Sequence, residues 1–250
     1  FEATAPALAT RVASGRVLNG LAKRIPGLLG GSADLAESNG VQLANEADFS
    51  ASSPGGRQIR FGVREHAMGA IVNGIALTQG MLKPYGSTFL IFSDYMRPAI
   101  RLASMMGLRV IYVFSHDSIG LGEDGPTHQP VEHLAISRAT PNTLVMRPAD
   151  LVETAEAWEV AFSEKKRPTV MALSRQNLPT VRKTHTNTNM VAKGAYVLAE
   201  AVAPEVFGRV PGDGASPQPG QAEIHGTQRA TADSRVGTVS LSVCRPSSCM

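Results

Sequence analysis

Cysteine is almost absent from this chain of 250 residues: there are two, Cys244 and Cys249, both among the last seven positions. No CxxC or Cys–His spacing exists, so neither a zinc site nor a disulfide framework is supported. A reducing cytoplasm is the expected compartment. No basic run is interleaved with aromatics, so nucleic acid is not an expected partner. No apolar run approaches the length of a membrane span, and no membrane is expected either. The start, Phe1-Glu2-Ala3-Thr4-Ala5-Pro6-Ala7, lacks an initiator Met and the charged-then-apolar pattern of a leader. It reads as the middle of a longer chain. No internal repeat is visible.

What is present suffices for a buried core. Hydrophobic residues make up 43% of the chain, and one domain with an appendage is the expectation at this length. The net charge of +3 is scattered. It suits a mildly basic pocket for phosphorylated small molecules and an ordinary solvated surface equally.

Strands and helices alternate along the sequence. Helical spacing of Leu8, Val12, Leu18, Leu21 and Ile25 predicts a helix from Pro6 to about Pro26. Arg11 lies within it. A short strand follows, running into the polar loop Gly30-Gly31-Ser32-Ala33-Asp34-Leu35-Ala36-Glu37-Ser38-Asn39. Residues 58–62 read as a strand, 63–80 as a helix with Glu65 near its start, and 83–89 as a strand. A helix then runs to Gly107, with Phe89, Phe92 and Tyr95 spaced three apart at its approach. Strands are predicted at 108–114, 143–147 and 168–174, and helices at 132–139 and from Asp150, a natural N-cap. One more strand begins near Lys193. The fold class is α/β: a mostly parallel sheet with helices on both faces. In such sheets ligands bind at the carboxyl ends of the strands. Asp34, Glu65, His116, Asp124, His128 and Arg175 all follow predicted strands there.

The most informative stretch is residues 115–130, SHDSIGLGEDGPTHQP, a loop with two histidines, three acids and three glycines between an apolar strand and a helix start. Histidines in such a loop transfer protons near neutral pH. Ordinary readings exist for the other candidates: Arg11 as a surface arginine, Glu65 as a helix-end carboxylate favoured by the dipole, and the aromatics as core.

Five segments, in order, resemble the pyrimidine-binding domain of transketolases: GGSADLAESN (30–39), FGVREHAMGAIVNGIAL (61–77), KPYGSTFLIFSDY (83–95), SHDSIGLGEDGPTHQP (115–130) and LSRQNLP (173–179). Dihydroxyacetone synthase is a near neighbour. The resemblance covers about residues 8–200. It implies an enzyme that moves a two-carbon ketol unit from a ketose phosphate to an aldose phosphate in the pentose phosphate pathway, using thiamine diphosphate and Mg²⁺. Glu65 matches the acid that bonds N1′ of the cofactor's aminopyrimidine, and Phe89, Phe92 and Tyr95 match the pocket around that ring. His116 and His128 match the pair that bonds substrate hydroxyls and assists proton transfer. Asp124 matches the acid that reads a sugar hydroxyl. Arg11, Ser38 and Arg175 match the phosphate-binding set, and Asp34 an acid near cofactor and dimer interface. Sugar phosphates and a homodimer are the implied partners. His66, His133, His185 and His225 gain no role.

Two departures stand out. The domain that binds the cofactor diphosphate through Mg²⁺ has no counterpart in these residues, so the Mg²⁺ ligands are expected outside the chain. After Ala201 the resemblance stops, and residues 201–250 read as an unmatched, disordered tail beside a domain at 1–200. A shifted reading frame near codon 201 would account for that change; a divergent native tail is the alternative. The alternative function is a non-catalytic pairing module.

Overall fold

The computed structural model describes residues 6–78, 80–184 and 186–198, with two further short strands, Val239–Leu241 and Val243–Cys244. The tail expected from residue 201 otherwise lies outside the described residues, as do His185 and His225. The unit described below is the one that runs to Tyr196.

Six strands carry the fold: β1 (Leu28–Ser32), β2 (Gln58–Arg60), β3 (Lys83–Phe89), β4 (Ile111–Ser115), β5 (Leu144–Met146) and β6 (Thr169–Ala172). They lie in the order β2-β1-β3-β4-β6-β5, and each neighbouring pair is parallel. Val243–Cys244 pairs antiparallel with the edge strand β5. The central strands β4 and β6 are rich in β-branched and aromatic residues and buried at every position, and β3 is buried at all but Lys83, as a sheet covered on both faces requires.

Five helices cover it: α1 (Thr10–Ala22), α2 (Glu65–Leu77), α3 (Ser93–Met105), α4 (His133–Ala139) and α5 (Leu151–Ser163). Successive strand residues point to opposite faces. Ile111 and Val113 therefore join Leu18, Ala157 and Trp158 in the core under α1 and α5. Tyr112 and Phe114 join Met68, Val72, Met96 and Ile100 under α2 and α3. The polar tips of the aromatic residues buried in these cores are paired, as a dry core favours. Trp158 Nε1 donates to Ser14 Oγ at 2.9 Å, and Tyr112 OH to Asn73 Oδ1 at 2.6 Å.

The helix predicted from Pro6 is shorter at both ends. Leu8 pairs with Leu178 through two backbone hydrogen bonds, at 2.9 and 3.2 Å, which draws the chain before Thr10 into extended form. Pro26, a helix breaker, follows the last turn by a short coil. Glu65 does open α2, Asp150 does cap α5, and the strand at 83–89 has the predicted bounds. The three aromatics do not share a helix. Phe89 ends β3, Phe92 precedes α3, and Tyr95 lies inside it. Their spacing reflects consecutive i to i+3 turns, with Phe92 N donating to Phe89 O and Tyr95 N to Phe92 O, both at 3.0 Å.

Candidate functional site

The loops after β1, β2, β3, β4 and β6 carry the candidate residues to the carboxyl edge of the sheet. Thr10 and Arg11 reach the same edge from the start of α1. What holds α1 there is the motif at 173–179. Ala9 N donates to Asn177 Oδ1 and Thr10 N to Ser174 Oγ, both at 3.0 Å. Two of the orphan donors at the start of the helix are thus satisfied by a distant loop rather than by a local cap. Gly15 lets α1 approach the loop at 38–40: a Cβ there would sit 2.5 Å from the Gly40 carbonyl oxygen. Across this contact Arg11 Nη1 donates to the Ser38 carbonyl at 2.5 Å.

The loop after β4 supplies the other side. Arg175 Nη2 donates to Glu123 Oε1 at 2.6 Å, and its Nε lies 3.6 Å from Asp124 Oδ2. The same Asp124 oxygen lies 3.6 Å from His116 Nε2. His116 is only 3% exposed and adopts φ +57°, a left-handed backbone uncommon outside glycine. Burial depresses its pKa to about 4, helped by the positive field of Arg11 and opposed by Asp124. Burial, then Arg175, also lowers the pKa of Arg11. Two arginines, one acid and a neutral imidazole therefore share one electrostatic environment. Guanidinium groups in such a pair suit phosphate, which they bond bidentately.

Aromatic rings join the two histidines. Phe89 stacks on His116 with centroids 3.6 Å apart. Phe89 and Phe92 stack at 5.5 Å, and both present themselves to the His128 ring, at 5.8 and 5.3 Å. His128 Nδ1 is 2.8 Å from Thr127 Oγ1. Glu65, 8% exposed, opens α2, and Thr88 at the end of β3 donates to its Oε1 at 3.2 Å.

The structure therefore brings together Arg11, Ser38, His116, Asp124, His128, Arg175, Phe89 and Phe92. Tyr95 lies 6.2 Å from Phe92 but is 67% exposed, so the ring pocket is open on that side. Asp34, at φ +65°, is exposed and lines a separate cleft with Glu37, Ser38 and Arg60. Among the described residues it makes no hydrogen bond or ion pair with the histidine loop.

Sequence reasoning passed over four groups. Glu123 pairs with Arg175, and Thr88 holds Glu65. Asn39 and Ser115, both fully buried, connect the loop after β1 to His116: Ser115 Oγ donates to Asn39 Oδ1 at 2.5 Å and lies 2.8 Å from His116 Nδ1. All four sit inside the motifs at 30–39, 83–95 and 115–130, but nothing in one dimension pairs them.

Comparison with known proteins identifies the family. Residues 6–181 match the family profile described as transketolase, pyrimidine binding domain. The transketolase of Rhodobacter capsulatus is 58% identical over 197 residues, which are 79% of this chain and 29% of that protein. The chloroplastic transketolase of Craterostigma plantagineum is 57% identical over 195 residues, 78% of this chain and 37% of that protein. Among solved structures, the Pichia stipitis transketolase complex with sedoheptulose-7-phosphate superposes with a TM-score of 0.75 at 45% identity, covering 80% of this chain and 30% of that one. A structure described as a split gene transketolase, inactive β4 tetramer, matches with a TM-score of 0.61 at 27% identity, covering 78% of this chain and 60% of that one. The chain thus spans 29% to 37% of the length of these three relatives. The profile match and these identities show that the chain belongs to the transketolase family, as a pyrimidine-binding domain.

Proposed function

We propose that the chain supplies the pyrimidine-binding half, and much of the sugar-phosphate-binding half, of a site for two-carbon ketol transfer between a ketose phosphate and an aldose phosphate. The observation that carries this is the convergence of Glu65, the Phe89–Phe92 pair, the two loop histidines and the Arg11–Arg175 pair at one sheet edge. The residues present fit the aminopyrimidine of thiamine diphosphate. Glu65 is a buried carboxylate whose Oε1 is held by Thr88, which leaves Oε2 to a ring nitrogen, and Phe89, the residue after Thr88, stacks with Phe92. When bound, thiamine diphosphate supplies a nucleophilic carbon that carries the two-carbon unit.

The chain's own groups do the rest. Glu65 shares a proton with the pyrimidine. His116, neutral at physiological pH, takes a hydrogen bond from a substrate hydroxyl, and His128 stands opposite across the aromatic pair. Asp124 reads a second hydroxyl. Arg11 and Arg175 hold the phosphate at the far end, with Ser38 beside them. No role is assigned to Asp34 beyond an acid near the cofactor and a dimer partner. Among the described residues the one cluster offering three metal-ligating atoms, Asp94, Glu132 and His133, includes none of these groups. The Mg²⁺ that accompanies the cofactor is assigned to ligands outside the chain, as the family resemblance implies. The split-gene neighbour, inactive as a β4 tetramer, supports a half-site of this kind.

The test replaces the matching segment of the Rhodobacter capsulatus transketolase with residues 6–200. Ketol transfer is assayed with thiamine diphosphate and Mg²⁺. The folded chimera is expected to turn over, its Glu65→Ala variant to lose transfer by a hundredfold or more, and the 250-residue chain alone to show none. A folded, inactive chimera would overturn the proposed activity. Turnover by the chain alone would overturn the half-site.

A further inference from the structure

Cations also gather at the amino-terminal edge of the sheet, opposite the candidate site. A cavity of about 360 Å³ opens there, between the ends of α2 and α3 and the turns that lead into β3, β4 and β6. Lys83, Arg109 and Lys165 line it, together with Leu77, Leu82 and Met106. The local fold explains why they meet. Tyr85 pairs with Ile111 in the register of β3 on β4, so Lys83 and Arg109, each two residues earlier, enter the sheet side by side. Gly107 ends α3 at φ +63°, and Leu108 N closes the turn on Ala103 O at 2.9 Å. Glycine adopts that left-handed backbone without penalty. A Cβ at Gly107 would sit 3.0 Å from the Lys166 carbonyl oxygen, so the approach to β4 lies against the loop that carries Lys165. Thr169 N donates to Val110 O at 2.9 Å and fastens that loop in place.

Cations held close together repel, and an anion between them reverses the sign of that energy. Lys83 and Arg109 are partly buried, and each has a lowered pKa. Burial is the first cause for both. The field of Arg109 is the second for Lys83, and Glu164 opposes the shift of Arg109. Glu164 is itself engaged. Its Oε2 accepts from Arg167 Nε at 2.7 Å, and its Oε1 from Lys165 N and Lys166 N, at 2.9 and 3.2 Å. Three cations against this one acid leave two positive charges, which a phosphate monoester dianion matches. Leu77, Leu82 and Met106 are 46%, 42% and 50% exposed. Apolar surface beside cations suits the carbon body of an ester better than a bare ion. The volume is at the small end for ligand pockets and suits a compact monoester.

We infer that this cavity binds a small phosphate monoester with an apolar body, held by Lys83, Arg109 and Lys165 and separate from the site at the carboxyl edge. Arg109 offers the phosphate a bidentate fork, and the two lysines offer point charges. The inference is independent of the proposed function, which uses the opposite edge.

Phenyl phosphate is the probe, with inorganic phosphate and phenol as comparators, each titrated into the full 250-residue chain at pH 7 and low salt. ¹H–¹⁵N spectra read the backbone amides of Lys83, Gly107 and Arg109. Phenyl phosphate is expected to move these signals saturably and to bind about tenfold tighter than either comparator. Arg109→Gln and Lys165→Gln, the latter on an exposed side chain, are each expected to weaken binding about tenfold. Arg175→Gln, at the carboxyl edge, is expected to leave it unchanged. The lack of a saturable shift at the three amides overturns the site. So does an affinity unchanged in both Arg109→Gln and Lys165→Gln, or one that falls in Arg175→Gln instead. Inorganic phosphate bound as tightly as phenyl phosphate overturns the apolar body, and phenol bound as tightly overturns the anion.

Discussion

His116 is a buried imidazole set among two arginines and one acid. Its burial has a measurable consequence for stability. The folded pKa is about 4, against 6.5 for an unperturbed histidine. Between those values the unfolded chain binds a proton that the folded chain does not. Stability therefore rises with pH across that window, is complete above about 6.5, and is lost as pH falls toward 4. The gap from 6.5 to about 4 corresponds to roughly 3 kcal/mol as an upper figure. Urea unfolding of the native chain and of His116→Gln from pH 4 to 7 checks this: the variant is expected to show the flatter dependence. Arg11→Gln removes the second cause of the depression, and the His116 titration followed by NMR is expected to move upward. The histidine was legible in the sequence because a polar, glycine-bearing loop after an apolar strand declares a site. Its low pKa was not, because burial and the nearness of Arg11 arise from segments more than a hundred residues apart. The same holds for Asn39 and Ser115, whose hydrogen-bond order exists only in three dimensions.

Among the elements, the two helices on one face show what local sequence can and cannot reveal. The cap of α5 is local. Asp150 Oδ1 accepts from Glu153 N at 2.9 Å, three residues on, and could be read from the sequence. Its second oxygen accepts from Val181 N and Arg182 N, at 3.2 and 3.0 Å, which could not. Asp150→Ala is expected to remove three buried partners and cost about 2–4 kcal/mol in chemical denaturation. The cap of α1 is remote. Ser174 and Asn177 supply it, and the sequence pattern accordingly ran the helix on to Pro6. Ser174→Ala is expected to cost about 1–2 kcal/mol. In the chimera it is also expected to raise KM for phosphorylated sugars, since Arg11 follows the capped residue directly. Gly15→Ala gives a sharper probe of the same contact, because the added methyl meets a backbone carbonyl that cannot swing aside. Steady-state kinetics would show the KM effect, and an unchanged KM in both variants would detach α1 from substrate binding.

At the scale of the molecule, alternating strands and helices were enough to predict a parallel sheet covered on two faces, because each element carries its own periodicity. The strand order was not predictable from that pattern. β1 lies between β2 and β3, and β6 between β4 and β5, so the site collects loops from both halves of the chain. The exposed side of the aromatic group, Tyr95, is consistent with a site completed from elsewhere, and solvent quenching of its fluorescence in the chain alone but not in the chimera would support that.

The remote cap on α1 also imposes an order in time. Thr10 and the serine that caps it are 164 residues apart. A ribosome adding about 5–20 residues per second needs on the order of 10–30 s to make the second after the first. Through that interval the first helix exists as a sequence without its terminus satisfied and without Trp158 to bury its Leu18 face. Arg11, next to the capped residue, is thus translated well before the groups that fix its place. Stalled nascent chains that end before Ser174 are expected to leave Arg11 open to trypsin, and chains released past Leu178 to protect it.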